Sequence, residues 1–348
     1  MDAAALCRMA MECGFDLAGV TPAVALPEFV FYQDWVHRGK AAGMSYLTDH
    51  RGEIRRDPHQ LLPSAKSILV CGVLYNSREP SIAELDDPAR AWISRYAWGE
   101  DYHDVLRTRF EKLAERLPAC EYRICVDTAP LLERAYARRA GLGWIGKNSC
   151  LINEHRGSWF FLGEMLLSLE LTANEPPPDR CGSCSRCIDA CPTQAIISTG
   201  RSEPAWELDA GLCISYHTIE SKSEAPLDLR AHFGSHIFGC DICQDVCPWN
   251  QRAPVSIDAP FQPREFAPPL AELAALSEEG FRSMFRASPI WRAKYRGFLR
   301  NVCTAMGNAR LPQYRIPLEQ LAQHEDSAVS DHARWALERI GETRYPES

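Results

Sequence analysis

The sequence predicts an α+β chain in three consecutive parts: a mixed α/β domain over residues 1–172, a small cysteine-rich domain over 173–260 and an all-α domain over 261–348. Three observations carry this. Short strand-like runs alternate with helical spacing up to about residue 172, a proline-rich break and two cysteine clusters follow, and helix-length apolar patterns fill the remainder. A length of 348 residues suits two or three domains of about 100–200 residues each. A hydrophobic fraction of 46% with 24% charged residues is the balance of an ordinary globular protein with real cores.

KSILVCGVLY (66–75) and EYRICVD (121–127) are short, apolar and rich in β-branched residues, which predicts buried strands. Between them Val105, Leu106, Phe110, Leu113 and Leu117 fall on one face at helical spacing. APLLERAYARRAGLG then predicts a helix stopped at Gly141. TANEPPPDR (172–180) can continue neither element, because three successive prolines remove amide donors and fix φ; it reads as a linker. After FQPREFAPPL come LAELAAL, KYRGFLRNVCTAMGNA, IPLEQLAQ and SAVSDHARWALERIG, each of helix length with short breaks between. Paired helices of this kind suggest HEAT-like repeats, with a plain helical bundle as the alternative.

No apolar run reaches the roughly 20 residues of a membrane span, and MDAAALCRMAMECGFD lacks the basic then apolar layout of a secretory signal. A cytoplasmic protein with no membrane partner is expected. In that reducing compartment fifteen cysteines, an odd number, do not make a disulfide framework. Metal is the better reading. The net charge of −8 argues against a chain coated for nucleic acid. Its distribution is uneven, however: Arg282, Arg286, Arg292, Lys294, Arg296, Arg300, Arg310 and Arg315 fall in a stretch, 281–315, without Asp or Glu. That predicts a local basic face, against the plainer reading of a solvated helix surface.

CGSCSRCIDACP (181–192) is a CxxCxxCxxxCP run, the spacing of bacterial 4Fe-4S ferredoxins, in which three closely spaced thiolates wrap one cubane and the cysteine before proline serves its neighbour. A second cluster is thereby required, and Cys213, Cys240, Cys243 and Cys247-Pro248 can supply it. The crossing rule assigns Cys181, Cys184, Cys187 and Cys247 to the first cluster, and Cys191, Cys213, Cys240 and Cys243 to the second. The middle domain is expected to be ferredoxin-like. Zinc is the rival, but its structural sites usually present two separated cysteine pairs. Cys213 stands alone, and Cys150 competes for its place; the remaining cysteines read as small buried hydrophobes.

The stretch RICVDTAPLLERAYARRAGLGWIGKNSCLI, with GFDLAGVTPA, RRDPHQLLPSAKSILV, SRYAWGEDYHDVLR, CISYHTIE, FGCDICQDVCPWN and SPIWRAKYRGFLRNVCTAMGN, resembles the epoxyqueuosine reductases, cobalamin-dependent enzymes that finish queuosine synthesis in tRNA. The resemblance covers nearly the whole chain. It implies a base-off cobalamin held between the N-terminal and ferredoxin-like domains, with the second cluster close to the corrin. It also implies two-electron reductive deoxygenation of an epoxide to an alkene, with release of water. The clusters suit this, because bringing cobalt to its nucleophilic Co(I) state needs a strong one-electron donor, and 4Fe-4S potentials reach about −700 mV. A tRNA carrying epoxyqueuosine, a flavodoxin- or ferredoxin-type donor and a monomeric state are the partner expectations.

By the same resemblance the aspartate of the VDT motif, Asp127, is the proton donor. An ordinary aspartate, pKa about 3.9, is ionised at neutral pH, so Asp127 must be desolvated to keep its proton; a capping role at the helix beginning near Pro130 is the alternative. GLGWIGKN (141–148) resembles a phosphate loop only loosely, since Asn148 stands where Ser or Thr belongs. In the family this loop lies near the cofactor, which makes Lys147, Asn148 and Ser149 candidate cobalamin contacts, with Arg56, Tyr96 and Tyr216 as further ones. The C-terminal helices of the family hold tRNA, so Arg282, Arg286, Arg292, Lys294, Arg296 and Arg300 are expected to neutralise phosphates, and Trp291 or Tyr295 to stack on a loop base or lie buried. A reductive dehalogenase-like enzyme and a non-catalytic two-cluster electron carrier are the competing functions.

Overall fold

The computed structural model describes residues 1–81, 85, 87–264 and 266–341. Its first part is built on one sheet. Strands β1 (Leu17–Pro22), β2 (Ser67–Leu74), β3 (Tyr122–Cys125) and β4 (Phe160–Leu167) lie in the order β1-β2-β4-β3. Every pairing is antiparallel, so of the two readings the pattern leaves open, α/β and α+β, this domain is the second. The run read as a buried strand is one: all eight residues of β2 are buried because the sheet is covered on both faces. Leu69, Cys71 and Val73 point to one layer, and Ile68, Val70 and Leu74 to the other, as the two-residue period of a strand dictates.

One layer is formed by helices α1 (Ala3–Glu12) and α2 (Tyr102–Ala114), which bury Leu6 and Ala10, and Leu106, Phe110 and Leu113. The other is formed by α3 (Glu133–Arg139), which contributes Ala135, Tyr136 and Ala137 and ends before Gly141, whose φ of +81° a side chain would strain. Residues 172–180 form no regular element. They are nonetheless tied down, since Asn174 exchanges two hydrogen bonds of 2.8 Å with Val20.

Each cysteine run closes on a single helical turn, Arg186–Asp189 and Ile242–Asp245, and the two turns pack together. The last part contains α4 (Glu278–Phe285), α5 (Lys294–Ala309), α6 (Arg315–Leu321) and α7 (Ser327–Gly341). All residues of α5 from Gly297 to Gly307 are buried, so it is the central helix. It approaches α7 so closely that a Cβ at Gly307 would lie 2.8 Å from the Ala336 Cα. The core around α5 also takes in Trp92, Ile93 and Trp98, with Ile237 and Phe238 from a short strand, His236–Phe238, that pairs in parallel with Trp92–Ile93. Among the described residues no helix is long and apolar enough to cross a membrane.

Candidate active site

A cleft of about 740 Å³ opens where the three parts meet. Tyr75, Tyr96, Tyr102, Phe160 and Phe161 line it, with Arg51, Arg55 and Arg134 beside them. Asp127 lies in its wall, just after β3. Its φ is +48°, a strained value for an aspartate, and Glu133 at the start of α3 holds it by accepting the Asp127 amide at 2.8 Å. Helix α3 has no side-chain cap, so the capping alternative for Asp127 falls away.

The carboxylate of Asp127 faces a row of charges. Asp101 caps α2 by accepting the His103 amide at 3.0 Å, and the same oxygen lies 2.7 Å from His103 Nδ1. Nε2 on the other side of the ring is 3.1 Å from Asp127 Oδ2. The imidazole is stacked on Tyr102 at 4.2 Å, and Tyr102 in turn on Phe161 at 4.4 Å, which fixes the ring plane. Burial opposes a charge on His103, but hydrogen bonds to Asp101 and Asp127 outweigh it and raise the imidazole to about 9. Burial likewise would push Asp127 up. His103 and then Arg292, whose guanidinium lies 3.4 Å from Oδ2, overcome this and hold the carboxyl below the ordinary aspartate value. These contacts favour a charged His103 beside an ionised Asp127, the reverse of an aspartate that keeps its own proton by desolvation.

Behind this row stand two further acids, one half-buried and one fully buried. Glu133 is pushed up to about 7 by burial and then by the charge of Asp127. Glu164 on β4 is 0% exposed, neither of its oxygens has a hydrogen-bond partner in the structure, and burial raises it far above the usual carboxylate range.

The cysteines gather in two groups. Burial and then the neighbouring Cys247, Cys181 and Cys184 raise the Cys187 thiol to about 11, and Cys247 is influenced by Cys181 and Cys184 in the same way. In the other group Cys240 lies near Cys213 and Cys191, and Cys243 near Cys240 and Cys213. These are the two sets that the crossing rule assembles. Among the described residues no three His, Cys, Asp or Glu side chains are grouped so as to hold a single metal ion. Cys150 is not in inert surroundings: it lines the cleft and lies beside Cys243.

The other expected site residues divide. Tyr96 lines the cleft. Arg56 is exposed, pairs with Glu53 at 2.9 Å and lies over Phe29, while its neighbours Arg51 and Arg55 line the cleft instead. The Tyr216 hydroxyl, outside the cleft lining, accepts the Gly43 amide at 2.9 Å. Lys147, Asn148 and Ser149 turn toward the cysteine loops and Arg134.

Arg282, Arg286, Lys294 and Arg296 are exposed, with Arg296 paired to Asp326 at 2.5 Å and Lys294 4.7 Å from the Trp291 ring. Arg292, exposed as well, borders the cleft, 2.9 Å from Glu220 and beside Asp127. Arg300 corrects the expected basic face: it is 2% exposed, and its guanidinium donates to the carbonyls of Ser221 at 2.9 Å and Ser223 at 2.6 Å and to that of His217. Its place in the all-buried turn of α5 makes it a structural residue. Trp291 and Tyr295 pack against Phe281 at 5.7 and 5.9 Å.

His103 and Glu133 are the site residues that sequence reasoning missed. The signal for His103 was local: an aspartate two residues before a histidine, at the start of a helical pattern, both caps the helix and takes the ring nitrogen.

Comparison with known proteins agrees with this architecture. Residues 55–128 match the family model described as epoxyqueuosine reductase QueG, DUF1730, and residues 180–250 match a 4Fe-4S double cluster binding domain. An epoxyqueuosine reductase of Xanthomonas campestris is 41% identical over 98% of this chain and 97% of its own length. That of Escherichia coli is 37% identical over 96% and 88% respectively. A crystal structure of an epoxyqueuosine reductase with an epoxyqueuosine-modified tRNA-Tyr stem loop superposes with a TM-score of 0.86 at 30% identity, covering 97% of this chain and 90% of that one. The Bacillus subtilis enzyme, captured with a catalytic aspartate loop swung out of its active site, gives 0.80 at 27% identity, with coverage of 97% and 98%. Identity of this extent along almost the entire length means that the chain belongs to the epoxyqueuosine reductase family.

Proposed function

We propose that this oxidoreductase converts epoxyqueuosine in tRNA to queuosine. Two electrons and two protons enter, both C–O bonds of the epoxide break, and an alkene and water leave. The observation that carries the reading is the Asp101–His103–Asp127 row in the cleft wall, because an epoxide oxygen needs a proton as it departs. His103 holds that proton and Asp127 passes it on, recharged through the 3.1 Å contact between them. A chain relayed in this way resolves how an aspartate of depressed pKa can still act as an acid.

The cleft suits a cobalamin. Its aromatic lining offers apolar contact to a corrin, and Arg51, Arg55 and Arg134 offer donors to amide and phosphate groups. When bound, base-off cobalamin would supply the low-potential metal chemistry at the epoxide, fed by two 4Fe-4S clusters. The first would be held by Cys181, Cys184, Cys187 and Cys247, and the second, on the cleft side, by Cys191, Cys213, Cys240 and Cys243. Arg292, joined to both Asp127 and Glu220, orients the carboxylate. The exposed Arg282, Arg286, Lys294 and Arg296 lie on the helical part and would meet tRNA phosphates, giving affinity that falls as salt rises. In this reading residues 1–172 are the catalytic domain, 173–260 the ferredoxin-like cluster domain and 261–348 a HEAT-like RNA-binding domain. The chain works as a cytoplasmic monomer fed by a flavodoxin- or ferredoxin-type donor.

The deciding experiment is anaerobic incubation of the reconstituted protein with cobalamin, a strong reductant and tRNA carrying epoxyqueuosine, followed by nucleoside mass analysis. Queuosine is the expected product; its absence ends the proposal.

A further inference from the structure

Three consecutive residues tie both cysteine loops to the cleft. Lys147 Nζ donates to the carbonyls of Gly182 at 2.7 Å and Cys184 at 2.8 Å, inside the loop of the first cysteine set. Asn148, 6% exposed, donates from Nδ2 to the carbonyl of Cys243 at 3.2 Å, inside the loop of the second, and accepts the Cys150 amide at 3.2 Å. The Ser149 carbonyl accepts from Arg134 at the cleft, on a residue whose φ is +62°. The segment that looked like a phosphate loop is thus a strut between the catalytic cleft and the two cluster loops.

The strut is electrically lopsided. Its contact with the first loop is an ammonium group, and its contact with the second is a neutral amide. A 4Fe-4S cluster gains one negative charge on reduction, so a cation fixed beside it favours the reduced form and raises its potential. The first loop is also the outer one: Gly182, Ser183 and Ser185 are exposed, whereas Gln244 and Cys150, next to Cys243, line the cleft.

We propose that Lys147 is a positioning residue that sets the potential of the outer cluster above that of its neighbour, so that an arriving electron rests on the outer cluster until the cleft side can take it. This rests on the reading of the two cysteine sets as 4Fe-4S sites, and concerns their potentials, which that reading leaves open.

The test is an EPR-monitored redox titration of the full-length, anaerobically reconstituted protein, with iron and sulfide measured in each sample. In Lys147→Gln one of the two midpoint potentials should fall and the other stay, at unchanged iron content. Lys147→Arg should keep both. Asn148→Asp, which puts a negative charge against the other loop, should lower the second midpoint alone. Unmoved midpoints in Lys147→Gln, an equal shift of both, or a fall in Lys147→Arg as large as in Lys147→Gln overturns the proposal. If Lys147→Gln loads less iron, Asn148→Asp decides: a fall confined to one cluster upholds the strut as the electrostatic divider, and no fall or a common one defeats it. Absence of any cluster signal in the unaltered protein would instead defeat the 4Fe-4S reading itself.

Discussion

Replacing His103 with Gln tests the relay directly. Glutamine keeps hydrogen-bonding capacity toward Asp101 and Asp127 but cannot carry charge. The imidazole rises from an ordinary 6.5 to about 9 on folding, and at 1.36 kcal/mol per pH unit this corresponds to about 3 kcal/mol of differential interaction. The His103 side chain is 26% exposed, so solvent trims the figure and about 3 kcal/mol is its upper end. Because the folded-state value is raised, the stabilisation is complete below pH 6.5 and disappears as pH climbs through about 9. Anaerobic urea unfolding of the two proteins should therefore differ most near about pH 6, and the difference should shrink toward about pH 10. Turnover at neutral pH should fall by about 10²-fold or more, as for the loss of a general acid–base group. A destabilisation equal at both pH values would refute the charged His103 and the relay built on it.

Four further outcomes are expected. Asp127→Asn should keep iron content and RNA affinity while single-turnover rates fall by about 10²–10⁴. Glu164→Gln should stabilise the protein at pH 8: a carboxyl held neutral in the fold loses stability as pH rises above its unfolded value of 4.5, so the gain should vanish below that pH in parallel thermal melts. Asn301→Leu strands the carbonyls of Thr218 and Ile237, each now 2.8 Å from its amide, and should lower unfolding stability by about 2–4 kcal/mol. Arg286→Glu with Lys294→Glu should weaken binding to any tRNA stem loop and flatten the dependence of log affinity on log salt by about 1 for each cation removed, read by fluorescence anisotropy.

Much of the fold could be read from local pattern. SAVSDHARWALERIG and KYRGFLRNVCTAMGNA coincide with α7 and α5, because apolar spacing is written within the segment itself. The cysteine groups were legible for the same reason: ligand spacing in a loop is short-range chemistry. Strand direction was not, since β2 reads as one apolar run whether its neighbours are parallel or, as here, antiparallel with both faces covered. Nor could a run of basic residues reveal that Arg300 points into the core while Arg296 does not, for that depends on the carbonyls of residues 217–223 coming to meet it. Lys147 was picked out by its motif, but its partner in the fold was not. Only the folded chain shows that its ammonium ends on the Gly182–Cys184 loop.

The core around α5 also dictates an order of assembly during synthesis. A ribosome makes Trp92 and Trp98 about 200 residues before the helix that shelters them. The antiparallel sheet can close early, but this flank stays bare, an aromatic surface for chaperones to mask. Ile237 and Phe238, just ahead of Cys240, wait for the same cover. Both cysteine runs therefore emerge while their surroundings are still open, and iron–sulfur delivery has its access before the last helices shut the door.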